Sequence, residues 1–216
     1  MARYQRGFNI HQAIDGLISC DPTFMPWIKR IGLIEVGSWA KRFNTTDALA
    51  RAILHQQLSG KAAATIIARV EKAVSSKVIN HRSLVRVDDA TLRLCGVSGN
   101  KALALRDLAA RSACGEIPNS SRLSGLSDQE IIELLTKVRG IGRWTVEMLL
   151  MFRLGRPDVL PADDLGIRKG LQILDSLSEV PTAKMMAIRG MSWAPYRTIA
   201  GLYLWRIADF VEQPEK

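Results

Sequence analysis

The segment V-R-G-I-G-R-W-T, residues 138–145, is the most informative part of the sequence for predicting the fold. Apolar residues recur at helical spacing on both sides of it: Ile131, Leu134, Leu135 and Val138 before it, and Met148, Leu149 and Phe152 after it. Two glycines one residue apart allow a tight turn, because glycine adopts backbone conformations that other residues avoid. The sequence therefore predicts a hairpin between two helices.

This hairpin is also a candidate anion site. A tight turn exposes backbone amides beside the N-terminus of the next helix, where the helix dipole favours negative charge. The alternative is a glycine-rich link with no ligand, but the arginines that flank the glycines favour a phosphate. We predict that a DNA phosphate binds this turn, through Val138, Arg139, Gly140, Ile141, Gly142, Arg143 and Thr145.

The rest of the chain also has helical spacing, and no convincing run alternates in the manner of a strand. Ser127 and Glu130 form a capping box, and Ser59 is placed to cap a helix. A long C-terminal helix is expected over residues 196–210, with Pro195 in its first turn. We predict an all-α fold.

Composition and charge narrow the class of protein. The formal net charge of +9 favours a polyanionic partner, and nucleic acid is the commonest one. Cys20, Cys95 and Cys114 form no CxxC pair, which argues against a zinc site, an iron–sulfur cluster or a disulfide framework, and buried thiols are expected. No secretory signal or membrane-length apolar run is present, so an intracellular protein in the cytoplasm, the nucleoid or a nucleus is expected.

A carboxylate pair follows the hairpin in the segment L-P-A-D-D-L-G-I-R, residues 160–168. The spacing of Ile167, Leu171 and Leu174 predicts a helix that begins near Asp164. Either aspartate could simply cap that helix. A carboxylate beside a DNA-binding turn could also stabilise the positive charge that develops on a sugar when an N-glycosidic bond breaks. The two roles are compatible.

Taken together, these segments resemble the helix-hairpin-helix, Gly/Pro-Asp (HhH-GPD) DNA glycosylases, and above all the 3-methyladenine DNA glycosylase II family. Two more segments carry the resemblance: I-L-H-Q-Q-L-S-G-K-A-A at 53–63, and W-A-P-Y-R at 193–197 followed by Y-L-W at 203–205. The matches extend from about residue 45 to 206. The resemblance implies one glycosylase unit over 1–216 with two helical lobes, about 45–155 and 1–44 plus 156–216, an active-site cleft between them and no N-terminal β domain.

The resemblance also implies residue roles. Asp164 is the catalytic carboxylate, and Gln57 is the wedge that fills the gap left by an extruded nucleotide. Trp144 and Trp205 line the base pocket, whereas Trp27, Trp39 and Trp193 are expected in the core. Met148 stands where a bacterial relative has an aromatic pocket residue. No cofactor or metal is implied.

The sequence departs from lyase-competent relatives at the hairpin. They place a lysine directly before the hairpin threonine, where this chain has Trp144, so no amine is available there to form a Schiff base. The function implied is monofunctional hydrolysis of alkylated purines from double-stranded DNA in base excision repair, by base flipping and by a monomer with no membrane contact. The alternatives are a glycosylase of the same fold for other damaged or mismatched bases, or a non-catalytic helix-hairpin-helix DNA-binding protein.

Overall fold

The computed structural model describes residues 7–35, 39 and 42–212, with Glu212 described by its backbone alone. Helices and turns account for these residues, and no β-strand occurs among them. The all-α prediction is confirmed. The described residues group into two compact units, 42–146 and 7–35 with 39 and 147–212.

The first unit contains seven complete helices and the start of an eighth. They are α3 (Thr45–His55), α4 (Gly60–Ala73), α5 (His81–Leu84), α6 (Asp89–Leu94), α7 (Gly99–Ala113), α8 (Ser120–Leu123), α9 (Asp128–Leu135) and α10 (Arg143–Leu149), numbered along the chain after the two helices of residues 10–31. Each of the seven has an Asn, Ser or Asp at its N-cap that accepts a hydrogen bond from a first-turn amide. Helix α3 packs against α7 around side chains that are fully buried, among them Leu49, Ile53, Leu105 and Leu108.

The second unit combines an N-terminal and a C-terminal part of the chain. Its helices are α1 (Ile10–Cys20), α2 (Met25–Ile31), α11 (Leu165–Leu174), α12 (Ala183–Arg189) and α13 (Arg197–Glu212), and it includes the last residues of α10. Helix α10 runs on into a π-helical turn, Leu150–Leu154. Trp193 and Tyr203 are fully buried and Trp39 nearly so, whereas Trp27 is only half-buried, against the edge of Phe210.

Local predictions had mixed outcomes. The capping box of Ser127 and Glu130 and the cap at Ser59 are confirmed. Pro195 is not in the first turn of the last helix, because that helix begins at Arg197. Pro195 follows a cis peptide bond with Ala194.

The expectation of buried thiols was wrong for two of the three cysteines, since only Cys95 is buried. Over the part of the chain that the structure describes, no helix has the length and apolarity needed to cross a bilayer.

Candidate functional site

The hairpin of the first unit lies between α9 and α10, where the glycines predicted it. Gly140 has φ +77°, in the left-handed region, and the amide of Ile141 donates to the carbonyl of Val138 at 3.0 Å. Val138 and Ile141 are buried, whereas Arg139, Gly140 and Gly142 are exposed. The main chain of the turn is therefore exposed at its two glycines, whereas the apolar residues Val138 and Ile141 are packed in the interior.

Helix α7 supports this hairpin from the side. The carboxylate of Asp107 accepts a hydrogen bond from the amide of Arg139 at 2.8 Å and is also bound by the guanidinium of Arg111. A Cβ added at Gly140 would lie 3.3 Å from the Cβ of Ala104, so the turn passes close over the helix. A glycine is needed at this position both for the positive φ and for the close approach.

The proposed wedge segment lies at the end of α3. Gln57 is exposed and has φ +57°, an uncommon conformation for a residue other than glycine. Lys101 of α7 donates from Nζ to the carbonyls of Leu54 and Gln56, both at 2.8 Å. Burial lowers the pKa of the Lys101 ammonium from its ordinary value. The side chain of Gln56 donates to the carbonyl of Gly140 at 2.7 Å, so the wedge segment and the hairpin are in direct contact.

Two more predicted positions follow the hairpin on α10. Trp144 lies in the first turn and is 48% exposed, unlike the buried core tryptophans Trp39 and Trp193. Thr145, the next residue, is buried. Met148, one turn after Trp144, is half-buried and belongs to the second unit.

The predicted carboxylate begins α11 in the second unit. Asp164 is the N-cap of that helix, and its Oδ1 accepts a hydrogen bond from the amide of Ile167 at 2.9 Å. The same oxygen accepts a second hydrogen bond from the indole Nε1 of Trp205 at 2.8 Å. Asp163 is exposed and makes no such contact with Trp205 among the hydrogen bonds of the described residues. Capping alone therefore does not account for how Asp164 is held.

Two glycines bring Trp205 to Asp164. Helix α11 packs against α13, and a Cβ at Gly170 would overlap the carbonyl of Leu204. A Cβ at Gly166 would lie 2.8 Å from the Trp205 ring. Gly166 and Gly170 are one turn apart and lie on the same face of α11, so the two helices approach closely there. The spacing of these two glycines is visible in the sequence, but it does not show which helix packs against them.

Phe152 is a further aromatic residue of this site that the sequence analysis did not single out as functional. Its ring stacks on that of Trp205, with 6.0 Å between centroids and 17° between planes, and the side chain is 45% exposed. Because this ring stacks on the indole that binds Asp164, Phe152 is a candidate for contact with a ligand at this site. The helical spacing from Met148 to Phe152 was visible, but it gave no reason to distinguish a pocket residue from a core residue.

The geometry agrees with what comparison with known proteins finds. The HhH-GPD superfamily of base excision DNA repair proteins matches residues 50–195. This chain belongs to that superfamily. It is 36% identical to DNA-3-methyladenine glycosylase 1 of Schizosaccharomyces pombe over 93% of this chain and 90% of the relative. It is 28% identical to the DNA-3-methyladenine glycosylase of Saccharomyces cerevisiae over 97% of this chain and 82% of the relative.

Solved structures give the same result. A DNA-3-methyladenine glycosidase of Bacillus halodurans superposes with a TM-score of 0.83 at 34% identity, over 94% of this chain and 91% of the other. The Schizosaccharomyces pombe 3-methyladenine DNA glycosylase Mag1, solved in complex with abasic DNA, has a TM-score of 0.80 at 36% identity, over 90% and 95%. Within the superfamily the chain belongs to the 3-methyladenine DNA glycosylases, as its motifs predicted, and it is a hydrolase of base excision repair.

Proposed function

We propose that this enzyme releases alkylated purines of the 3-methyladenine type from double-stranded DNA, with Asp164 as its catalytic carboxylate. The observation that carries the proposal is the double restraint on Asp164 Oδ1, which accepts from the Ile167 amide and from the Trp205 indole. The indole that restrains the carboxylate also stacks on an exposed aromatic ring, Phe152. A fixed carboxylate beside aromatic surface suits a reaction in which a sugar becomes positively charged while a purine departs.

Asp164 acts on the sugar in this proposal. Cleavage of the N-glycosidic bond develops positive charge at the sugar, and a carboxylate already held in place stabilises that charge without having to reorganise. The same group can orient the water that attacks. An N-alkylated purine carries positive charge and is a good leaving group, so the reaction does not need a strong general acid. The products are the free base and an abasic site.

The aromatic residues hold the extruded base. Phe152 and Trp205 form a stacked pair with ring surface available, and Trp144 is exposed on α10. An electron-poor cationic purine is attracted to the face of an electron-rich ring. Met148, where a bacterial relative has an aromatic residue, contributes a polarisable thioether instead. We assign each of these four side chains a contact with the extruded base.

The main chain of the hairpin binds the DNA backbone. In this proposal the exposed glycines Gly140 and Gly142 and the first turn of α10 present backbone amides to a phosphate, and Arg139 and Arg143 add positive charge. The buried residues Val138, Ile141 and Thr145 complete the phosphate-binding turn. Extrusion of the damaged nucleotide costs ~a few kcal/mol, least for a weakly paired lesion, and exposed Gln57 fills the gap. The net charge of +9 supplies the long-range attraction.

The remaining parts of the proposal concern the molecule as a whole. The enzyme acts as a monomer in the compartment that holds the chromosome. Residues 1–216 work as one glycosylase unit, with one lobe over about 45–155 and the other over 1–44 and 156–216.

Base release tests the proposal directly. Duplex DNA treated with a methylating agent is incubated with the enzyme, and the freed bases are separated and identified. We expect the wild-type enzyme to release 3-methyladenine, and Asp164→Asn to release it about 100-fold to 1,000-fold more slowly. Release of an oxidised or mismatched base in preference to alkylated purines would overturn the substrate assignment, and binding without release of any base would favour the non-catalytic alternative.

Strand cleavage tests whether the enzyme is monofunctional. Residue 144 is a tryptophan, whose indole nitrogen donates hydrogen bonds but is no nucleophile. We expect strands to stay intact until alkali is added, and borohydride to trap no covalent protein–DNA adduct. A trapped adduct at catalytic yield that disappears when one lysine is replaced would refute the hydrolytic mechanism.

A further inference from the structure

One face of α7 contacts both DNA-binding elements of the first unit. Lys101 and Asp107 are six residues apart, with Ala104 midway, so all three lie on the same side of the helix. Lys101 binds the carbonyls of Leu54 and Gln56 at the wedge segment. Asp107 binds the amide of Arg139 at the hairpin.

The wedge segment and the hairpin also contact each other directly. The Gln56 side chain binds the Gly140 carbonyl at 2.7 Å, and Gly140 itself passes over Ala104. The residue that follows Gln56 is Gln57, which has a φ of +57°. Lys101 therefore binds the carbonyl directly before the wedge residue, and a half-buried ammonium bound by two carbonyls has little freedom to move.

We infer that Lys101 and Asp107 are positioning residues, which hold the Gln56–Gln57 junction and the Val138–Gly142 hairpin at a fixed separation on α7. Phosphate binding at the hairpin then sets the place along the duplex at which Gln57 enters. The inference rests on the proposed function, because the roles of Gln57 and of the hairpin are part of that proposal. Its consequence is that these two side chains affect extrusion of the base without touching DNA or the reacting atoms.

Lys101→Met tests the inference, with Arg106→Met as a matched control. Arg106 lies on the same helix and also binds two backbone carbonyls, those of Leu84 and Val87, but at a different part of the unit. We expect both variants to have a lower unfolding temperature. Only Lys101→Met should lower the single-turnover rate on a paired lesion, by about tenfold to a hundredfold, because a small misplacement of a positioned group has effects of that order.

The substrate distinguishes positioning from a general loss of structure. A lesion opposite an abasic site is extruded at little cost, so Lys101→Met should excise it at nearly the wild-type rate. An equal loss on paired and unpaired lesions would overturn the inference. Affinity for undamaged duplex should change by less than about threefold, because phosphate contacts bind without regard to the lesion.

A double-mutant cycle tests whether Lys101 acts through Gln57. In the Gln57→Ala background, Lys101→Met should have little further effect on the single-turnover rate, because the residue that it positions is gone. The same loss in both backgrounds would contradict the inference. Asp107→Ala should behave like Lys101→Met, and Asp107→Asn should restore most of the rate, because an amide oxygen still accepts from Arg139. Failure of the asparagine to do so would assign Asp107 to its ion pair with Arg111 instead.

A binding measurement separates this inference from the proposed function. A duplex that contains a stable abasic analogue beside 2-aminopurine changes its fluorescence when a wedge enters the stack, whether or not the enzyme can excise any base. We expect a signal with the wild type and with Arg106→Met, none with Gln57→Ala, and a reduced signal with Lys101→Met at saturating protein. A full signal with Lys101→Met would overturn the positioning role even if the enzyme proves to release alkylated purines.

Discussion

The hairpin of the first unit and the carboxylate site of the second are built in opposite ways. The hairpin presents its main chain, with Gly140 at positive φ and the side chains of Val138 and Ile141 buried beneath it. The carboxylate site presents side chains, and Asp164 is held by an indole 41 residues further along the chain. Substitution should therefore damage the hairpin through backbone strain and the carboxylate site through the loss of particular atoms.

Asp164→Asn should have the largest effect. An asparagine still caps α11 and can still accept from Trp205, so the fold is kept while the negative charge is lost. We expect the single-turnover excision rate to fall by about 100-fold to 1,000-fold, in line with the loss of one preorganised electrostatic group. Affinity for DNA should be unchanged or higher. Rapid-quench measurement of base release checks this.

Asp163→Asn is the control for that prediction, because Asp163 is the exposed neighbour. Its rate should stay within about threefold of the wild type, as expected for a surface substitution. A near-normal rate for Asp164→Asn, or an equal loss in both variants, would show that the charge at Asp164 is not what the reaction needs.

Trp205→Phe should have the next largest effect. It removes the indole N–H that binds Asp164 Oδ1 and keeps an aromatic ring beside Phe152. Without this hydrogen bond Asp164 is less firmly held, and misplacement of a positioned catalytic group can lower a rate by about 100-fold, so we expect kcat to fall by about tenfold or more. Trp27→Phe in the same unit should leave kcat unchanged. A rise in KM with no change in kcat would mean that Trp205 serves the base and not the carboxylate.

Alanine substitutions at the two hairpin glycines should have smaller and different effects. Gly140 has positive φ and lies against Ala104, so Gly140→Ala should lower the free energy of unfolding by about 1–2 kcal/mol. Gly142 has open space around it, so Gly142→Ala should fold normally and weaken binding to damaged and undamaged DNA alike, by crowding the phosphate. Thermal unfolding and fluorescence anisotropy measure the two effects.

Gly99→Ala is the control for this pair, since an added Cβ there also meets nothing within 4 Å. It should leave DNA binding unchanged and should not lower the stability, since alanine restricts the unfolded chain more than glycine does. If Gly142→Ala weakens binding to damaged DNA and leaves binding to undamaged DNA intact, the hairpin does more than hold phosphate.

The smallest predicted effect is on how the free energy of unfolding depends on pH in acid. Burial alone would raise the pKa of Asp21, but hydrogen bonds from Thr23, Trp193 and Arg189 outweigh it, and the pKa lies below its usual range. Its stabilising contribution is therefore complete above the ordinary value of 3.8 and is lost as the pH falls from there through the lowered pKa. Urea unfolding over that range should show stability that falls less steeply with pH in Asp21→Asn. An unchanged slope for Asp21→Asn would contradict the assignment.

Elements that depend on neighbouring residues along the chain could be predicted from the sequence. Glycine spacing predicted the turn at 138–142, and capping residues predicted the starts of α4, α9 and α11. These features are local because a turn or a cap is made by residues within about four positions of one another. The all-α class and the family follow from the order of such local motifs.

Contacts between side chains that lie far apart in the sequence could not be predicted and are seen only in the folded structure. The contacts of Trp205 with Asp164, of Phe152 with Trp205 and of Lys101 with the wedge segment join residues 41, 53 and 45–47 positions apart. Helical spacing shows which face of a helix is apolar but not which other face it packs against, because that choice depends on the shape of both surfaces. The exposure of Phe152 was missed for this reason, since the same spacing describes a core residue and a residue that lines a pocket.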